Sequence, residues 1–259
     1  MTDSHEQLAA ELAKAWQTGT TIPLPATGPS SRVEACAIQD RMAEAIGTPV
    51  IGWKVGAAVK AVQFFEGHDG PLPGRVFEDR AFATNGEIPA EMYHGAKVES
   101  EFAIELTEAL PEGFDRISAA DLDGKVVFRP AIELAASRYA PGTGGRAFNT
   151  FDGIADNGTA GAAVIGEAVA DWRALDFENM VIDARIEDSP PIQAYSGDYR
   201  RHPVEILAET INALKGRGIT FEAGMFLLTG SLTLPTPFRK GQTLTVTHGD
   251  HSPLSLTMK

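Results

Sequence analysis

The chain has 259 residues, 43% of them hydrophobic and 22% charged, a composition that excludes a wholly disordered protein. Its 35 acidic and 22 basic residues give a net charge of −13, which argues against nucleic acid or an anionic membrane as a main partner. The single cysteine, Cys36, excludes a disulfide framework and a multi-cysteine metal site. The sequence shows neither a signal-peptide pattern nor an apolar run of membrane-spanning length, so we expect a cytoplasmic location.

Two helices are predicted at the N-terminus. Leu8, Leu12 and Trp16 recur every four residues, and a second apolar stripe over residues 33–46 stops at Gly47. These helices define an N-terminal helical portion, residues 1–48. Residues 49–259 are expected to form a mixed-β domain, and the two portions are expected to make one continuous structural unit.

The rest of the chain predicts mostly strands. After Pro49 the apolar period changes to two, and further strands are predicted over three ranges: 98–106, 126–134 and 225–229. Residues 60–90 show no sustained period and predict a long irregular loop, a feature that is usually functional. A helix beginning at Pro203 and a hairpin over residues 244–258 follow. This order of elements favours an α+β fold.

Three acidic residues carry the strongest chemical signal. In the strand VESEFAIEL, Glu99 and Glu101 point to the same face, where two carboxylates repel each other unless a cation or protons are present. Glu133 lies in another apolar strand and also needs a partner. Oxygen ligands suit Mg²⁺ or Mn²⁺, so the three residues are candidate metal ligands. The alternative is a solvated strand face with lysines across the ladder.

Lys54 is the candidate catalytic cation. Its neighbours on the same face, Gly52 and Gly56, leave the ammonium unshielded, and glycine in a strand often marks close approach of a ligand. A lysine beside a metal-bound oxoacid can bind the carboxylate or polarise the carbonyl group. The alternative is an edge-strand lysine with glycines that form a bulge.

Three further residues are candidates for contact with a substrate. Arg138 follows the Glu133 strand and has the donors for a bidentate pair with a carboxylate, although an ordinary surface arginine fits the pattern as well. Asp156 and Asn157 lie in a segment rich in glycine and alanine. They are candidates for hydrogen bonds to a substrate, and an Asx turn is the alternative.

Taken together and in this order, these motifs resemble the fumarylacetoacetate hydrolase superfamily. The branch they resemble includes 2-keto-4-pentenoate hydratase, 2-oxohept-3-ene-1,7-dioate hydratase and 4-oxalocrotonate decarboxylase. The matching segments are GWKVG (52–56), KVESEFAIEL (97–106), PAIELAASR (130–138), ADNGTAG (155–161), RHP (201–203) and LLTGSLTLPTPFRKGQTLTV (227–246).

The resemblance implies a mixed β-sheet rolled into an unusual barrel with N-terminal helices. It places Glu99, Glu101 and Glu133 at the positions of the family's metal ligands, Lys54 at that of its active-site lysine, and Ser231 in a substrate-binding segment. It implies a Mg²⁺- or Mn²⁺-dependent lyase that hydrates a small unsaturated 2-oxo acid, as in the catabolism of aromatic compounds. It also implies a homo-oligomer.

The sequence departs from the hydratase pattern in two places. Leu72 stands where hydratases often carry an acid, and Glu205 stands where they carry asparagine. His68 and Asp69, from the same loop, are the candidates to replace the missing acid as catalytic groups. These departures leave open a decarboxylase, a C–C hydrolase of the acylpyruvate type, or a catalytically silent relative.

Overall fold

The structure of the protein is a computed structural model that describes residues 2–66 and 70–259. Five α-helices occur in these ranges: α1 (Asp3–Thr18), α2 (Arg32–Ile46), α3 (Lys60–Glu66), α4 (Thr150–Ala155) and α5 (Pro203–Lys215). The strands of the first half are β1 (Val50–Gly56), β2 (Leu72–Phe77), β3 (Ala81–Ala83), β4 (Asn85–Ile88), β5 (Lys97–Leu106) and β6 (Val126–Ala135). Those of the second half are β7 (Ala160–Ile165), β8 (Ile182–Ile186), β9 (Phe226–Leu228), β10 (Thr236–Pro237), β11 (Thr243–His248) and β12 (Leu254–Met258).

The larger sheet is mixed and strongly curled. Over the described residues its strand order is β2-β1-β9-β5-β6-β7-β3, with β10 paired to β5. Three strand spacings, about 14 Å in a flat sheet, separate β1 from β6. Even so, Nζ of Lys54 on β1 lies 2.9 Å from Oε1 of Glu133 on β6. β2 also contacts β7, so the two ends of the order approach each other around a concave face.

The antiparallel pair β5–β6 carries the acidic residues. Glu99 stands directly opposite Glu133, and Glu101 stands opposite Ala131. Because side chains alternate between the two faces of a sheet, all three carboxylates lie on the concave face. Val98, on the other face, is fully buried in a core shared with the second sheet.

The second sheet covers that outer face. Its order is β4-β12-β11-β8, and β11 and β12 form the antiparallel C-terminal hairpin predicted from the alternating pattern. The apolar core between the sheets includes Val246, Leu254 and Leu256. Packing of this kind fixes the register of β5, because a shift by one residue would exchange its apolar and acidic faces.

The N-terminal helices pack together and against the curled sheet. Leu12 and Ile38 are completely buried in a cluster that also contains Phe77 at the end of β2. Both helices end at glycines in the left-handed conformation, Gly19 and Gly47, which satisfy the last turn of each helix. The predicted α+β architecture, a rolled mixed sheet with N-terminal helices, is therefore confirmed.

Residues 60–90 differ from the prediction. Instead of a long irregular loop, the described part of this range contains α3 and the strands β2, β3 and β4. The sequence LPGRVF of β2 does not alternate between apolar and polar residues, because all of its residues except the first are buried.

No helix in the described part of the chain combines the length and apolar character that crossing a bilayer requires.

Candidate metal centre and cavity

The three predicted acidic residues meet on the concave face. One carboxylate oxygen from each of Glu99, Glu101 and Glu133 lies within 4.8 Å of the other two. Glu101 and Glu133 are 0% and 2% exposed, so their charges are almost fully removed from water. Such a cluster requires protons or a cation to compensate its charge.

The carboxylate oxygens have open coordination capacity. Oε2 of Glu101 accepts a hydrogen bond from the Gly230 amide at 2.9 Å. Oε1 of Glu101 and Oε2 of Glu133 are buried and have no hydrogen-bond partner. Buried carboxylate oxygens without partners are costly in a protein interior and are suitable ligands for a hard divalent cation. These residues therefore fit a Mg²⁺-type site.

Crowding perturbs the protonation of the cluster when it holds no cation. Burial, followed by the charge of Glu133, raises the pKa of Glu99 to about 7. Burial and the charges of Glu133 and Glu99 raise the pKa of Glu101 well above its usual value. A divalent cation would remove the repulsion that contributes to both shifts.

Lys54 completes the charged cluster from β1. Its Nζ lies 2.9 Å from Oε1 of Glu133 and donates a hydrogen bond to the Gly158 carbonyl at 3.2 Å. Burial lowers the pKa of Lys54, but the nearby carboxylates, Glu133 first, outweigh it and leave a net rise. Lys54 is therefore a buried ammonium directed at the acidic cluster.

Asn157 positions the loop that contacts Lys54. Its side chain accepts a hydrogen bond from the Arg75 amide at 2.7 Å and donates one to the Arg75 carbonyl at 2.9 Å. The loop approaches β2 so closely that a Cβ on Gly74 would lie 2.2 Å from the Asn157 carbonyl oxygen. Glycine at position 74 is thus required for the approach that brings Gly158 to Lys54. Asn157 supports the site through the backbone rather than by facing the cavity.

Arg138 and Asp156 form a buried pair with each other. Nε of Arg138 lies 2.5 Å from Oδ1 of Asp156, and the Arg138 amide donates to Oδ2 at 2.9 Å. The two remaining guanidinium nitrogens donate to the carbonyls of Ala160 and Asp156. The structure therefore directs Arg138 at Asp156, whereas the sequence suggested contact with a substrate. Neither side chain lines the cavity beside Lys54.

A cavity of about 700 Å³ opens from the acidic cluster, a size typical of small-molecule sites. Lys54, Glu99 and Ser231 line its inner part. The Ser231 hydroxyl donates its proton to the Thr233 carbonyl at 2.5 Å. The nearby Ser231 side chain also opposes the rise in the pKa of Glu99.

Sequence reasoning missed most of the cavity wall. Phe148, Tyr195, Tyr199 and Ile206 line it, and apart from the helical period at Ile206 they carry no pattern that separates them from ordinary loop residues. The predicted catalytic residues His68 and Asp69 lie outside the described residues.

Comparison with known proteins places this fold and site in a protein class. The chain is 31% identical over 242 residues to 2-keto-4-pentenoate hydratase from Paraburkholderia xenovorans, covering 88% of this chain and 84% of the relative. It is 29% identical over 230 residues to 2-oxo-hept-4-ene-1,7-dioate hydratase from Escherichia coli, covering 83% and 81%. No family model matches the chain.

A solved structure has the same fold over the full length. It is 4-oxalocrotonate decarboxylase from Pseudomonas putida G7, complexed with magnesium and adipate, with a TM-score of 0.85, 20% identity and coverage of 100% of this chain and 99% of that one. At 31% identity over most of its length, the chain belongs to the family of 2-keto-4-pentenoate hydratase, the branch of the fumarylacetoacetate hydrolase superfamily that its motifs resemble. Its relatives include both hydratases and decarboxylases.

Proposed function

We propose that this protein is a Mg²⁺-dependent lyase that adds water to a small unsaturated 2-oxo acid or its 2-hydroxydienoate tautomer. The observation that carries the proposal is the cluster of Glu99, Glu101 and Glu133 beside the Lys54 ammonium, at the inner part of a cavity of about 700 Å³. The names of the hydratase relatives, at 29–31% identity, support this choice of reaction.

Glu99, Glu101 and Glu133 are proposed to hold the cation, since their oxygens converge and two of them have no hydrogen-bond partner. The bound cation would supply Lewis-acid stabilisation of negative charge on a substrate oxygen. Mn²⁺ prefers similar oxygen ligands and is proposed as a substitute for Mg²⁺.

Lys54 is proposed to bind and polarise the oxygen atoms of the substrate. Its ammonium is held at 2.9 Å from Glu133 and at 3.2 Å from the Gly158 carbonyl, so little reorganisation is needed when negative charge develops nearby. Ser231, on the same inner wall, is proposed to orient the substrate carboxylate by exchanging its hydrogen bond to the Thr233 carbonyl for one to the substrate. Arg138, Asp156 and Asn157 are proposed to act as positioning residues, because their polar groups are engaged with the protein itself.

Water addition also requires a group that moves a proton to or from water. His68 and Asp69 remain the proposed candidates, because Leu72, which stands where related hydratases often carry an acid, lines the cavity and cannot transfer a proton. Decarboxylation is the second candidate reaction, because Leu72 replaces the acid of the hydratases and because the relatives include 4-oxalocrotonate decarboxylase.

Direct assay of the purified protein tests the proposal. With Mg²⁺ and 2-hydroxypenta-2,4-dienoate, or longer analogues, we expect loss of the dienoate absorbance and formation of a 4-hydroxy-2-oxo acid. Release of CO₂ from a 4-oxalocrotonate-type substrate without hydration would favour the decarboxylase instead. No Mg²⁺-dependent conversion of any of these compounds would reject both reactions.

Two matched variants test whether the three carboxylates bind a metal ion or whether the protein is a catalytically silent relative that keeps only the fold. Glu133→Gln should lose Mg²⁺ affinity in titration calorimetry. Glu105→Gln, on the same sheet but bonded to Arg129 at 2.9 Å, should retain it. Equal Mg²⁺ affinity in both variants would show that the three carboxylates are not a cation site.

The homo-oligomeric state implied by the family resemblance stays a prediction. Light scattering coupled to size-exclusion chromatography measures it directly.

A further inference from the structure

The cavity has a buried end and an open end that differ in character. At the buried end, Lys54 is 6% exposed and Glu133 only 2% exposed. At the open end, Phe148 and Tyr199 are 49% and 48% exposed. A substrate whose oxygens lie at the acidic cluster would therefore direct its other end toward these aromatic residues.

The wall beyond the acidic cluster contains neutral polar side chains, such as Asn149 and Thr150, and a larger apolar part. Val62 of α3, Leu72 of β2, Ile206 of α5 and Leu232 after β9 all line it. Tyr195 and Tyr199 also line it with stacked rings, whose centroids lie 5.5 Å apart at an interplanar angle of 15°. Such a wall favours hydrocarbon or aromatic groups over charged ones.

Arg201 also lines the cavity, but its charge is balanced within the protein. Its Nε lies 3.2 Å from Glu205, and Nη1 pairs with Glu209. Glu209 lies 3.2 Å from Lys60 as well. The two basic and two acidic side chains sum to zero charge, so the cluster offers little net attraction to a substrate anion.

Arg200, the other arginine of the wall, is held by the backbone. Its Nε donates to the Tyr195 carbonyl at 2.7 Å, and Nη1 donates to the Met180 carbonyl at 2.7 Å and to the Phe177 carbonyl at 3.3 Å. Among the described residues that line the cavity, Lys54 is the one other cation, and it is paired with Glu133.

We infer that the cavity selects a monocarboxylate: a 2-oxo acid whose distal end is an uncharged alkyl or aryl group, in preference to a dicarboxylate of the same length. This inference rests on the proposed function, which places the 2-oxo acid group at the acidic cluster. A distal carboxylate would lose part of its hydration against the apolar part of the wall, where Glu205 and Glu209 engage Arg201, and backbone carbonyls engage Nε and Nη1 of Arg200. The net charge of −13 disfavours the additional negative charge further.

Two saturated six-carbon probes test the selection without turnover. With saturating Mg²⁺, calorimetry compares 2-oxohexanoate with 2-oxoadipate, which differ in the distal group alone. We expect 2-oxohexanoate to bind about tenfold more tightly or better. If 2-oxoadipate binds as tightly or more tightly, the inference is wrong while the proposed function stands. If neither probe binds in a Mg²⁺-dependent manner, the proposed function fails as well.

A pair of matched variants tests whether the wall causes the selection. Val62→Lys places a cation on the cavity wall, and Val33→Lys makes the same change at a site on α2 that is 80% exposed. We expect Val62→Lys to shift the affinity ratio toward 2-oxoadipate by about tenfold, and Val33→Lys to leave the ratio unchanged. Equal ratios in both variants would overturn the inference.

A second variant covers the case in which Val62→Lys does not fold. Glu209→Gln removes one of the two acids that balance Arg201 and leaves a net positive charge beside the cavity. Glu44 is exposed and lies 2.6 Å from Arg41, so Glu44→Gln serves as the control for the same change in total charge. Glu209→Gln should lower the ratio of the affinity for 2-oxohexanoate to that for 2-oxoadipate, and Glu44→Gln should leave this ratio unchanged. An unchanged preference in Glu209→Gln would contradict the argument.

Discussion

Replacing Glu99 by glutamine is expected to stabilise the metal-free protein at alkaline pH and to weaken its stabilisation by Mg²⁺. In the metal-free protein, burial and the charge of Glu133 raise the pKa of Glu99 from 4.5 to about 7. A carboxyl group with a raised folded-state pKa binds more protons in the folded protein than in the unfolded chain. Stability is therefore lost as the pH rises from about 4.5 to about 7.

The size of the effect follows from the same shift. Each pH unit between the unfolded and folded pKa values costs about 1.4 kcal/mol, so ionised Glu99 costs the metal-free fold about 3 kcal/mol near pH 8. Glutamine does not ionise and avoids this cost. Mg²⁺ at about 100 times its dissociation constant would add about 2.7 kcal/mol to the wild-type protein and less to Glu99→Gln, which lacks one ligand.

Urea unfolding between about pH 5 and pH 8, with EDTA or with Mg²⁺, measures both effects. The comparison with Glu99→Gln cancels the titration of groups outside the cluster, and Glu105→Gln is the control on the same strand. If the free-energy difference between wild type and Glu99→Gln does not change with pH, the carboxylates are not crowded as described. If Mg²⁺ stabilises both proteins equally, Glu99 is not a ligand.

Three other predictions concern the support of the site. Lys54→Met should lower kcat for hydration about 100-fold or more while calorimetry still detects Mg²⁺ binding, and a kcat near the wild-type value would contradict its role. Asp156→Asn should lower the unfolding free energy by about 3–5 kcal/mol, because it leaves the buried Arg138 guanidinium without its counter-charge; an unchanged urea midpoint would count against this. Gly74→Ala should lower the melting temperature more than Gly56→Ala does, because the nearest atoms to the added Cβ lie at 2.2 Å and 3.7 Å respectively.

The sequence was sufficient to predict the strands that carry the metal centre. In β5 and β6, acidic residues interrupt strongly apolar runs, so both the strand and its unusual face can be seen without a structure. The register that places Glu99 opposite Glu133 could not be predicted, since it depends on how two strands separated by a loop pair with each other.

The structure differs from the prediction for residues 60–90 and directs Arg138 at Asp156, and the two findings have a related reason. Arg138 has the donors to bind a substrate carboxylate, and only the fold shows that Asp156 and nearby carbonyls occupy them. Likewise, β2 is a strand because it pairs with β1, and its own Pro73 and Gly74 hide that tendency. Long-range pairing determined both outcomes.

The parallel pairing of β1 with β9 has a consequence for biosynthesis. It joins Lys54 to Leu228, which is synthesised much later than Lys54, and β9 also pairs with β5. Until the ribosome has released that late segment, β1 and β5 lack the strand between them, and their edges are exposed to other nascent chains. We therefore expect the lysine and the carboxylates to come together only after β9 has left the ribosome, so that chaperones acting on the newly made chain would affect the yield of functional protein.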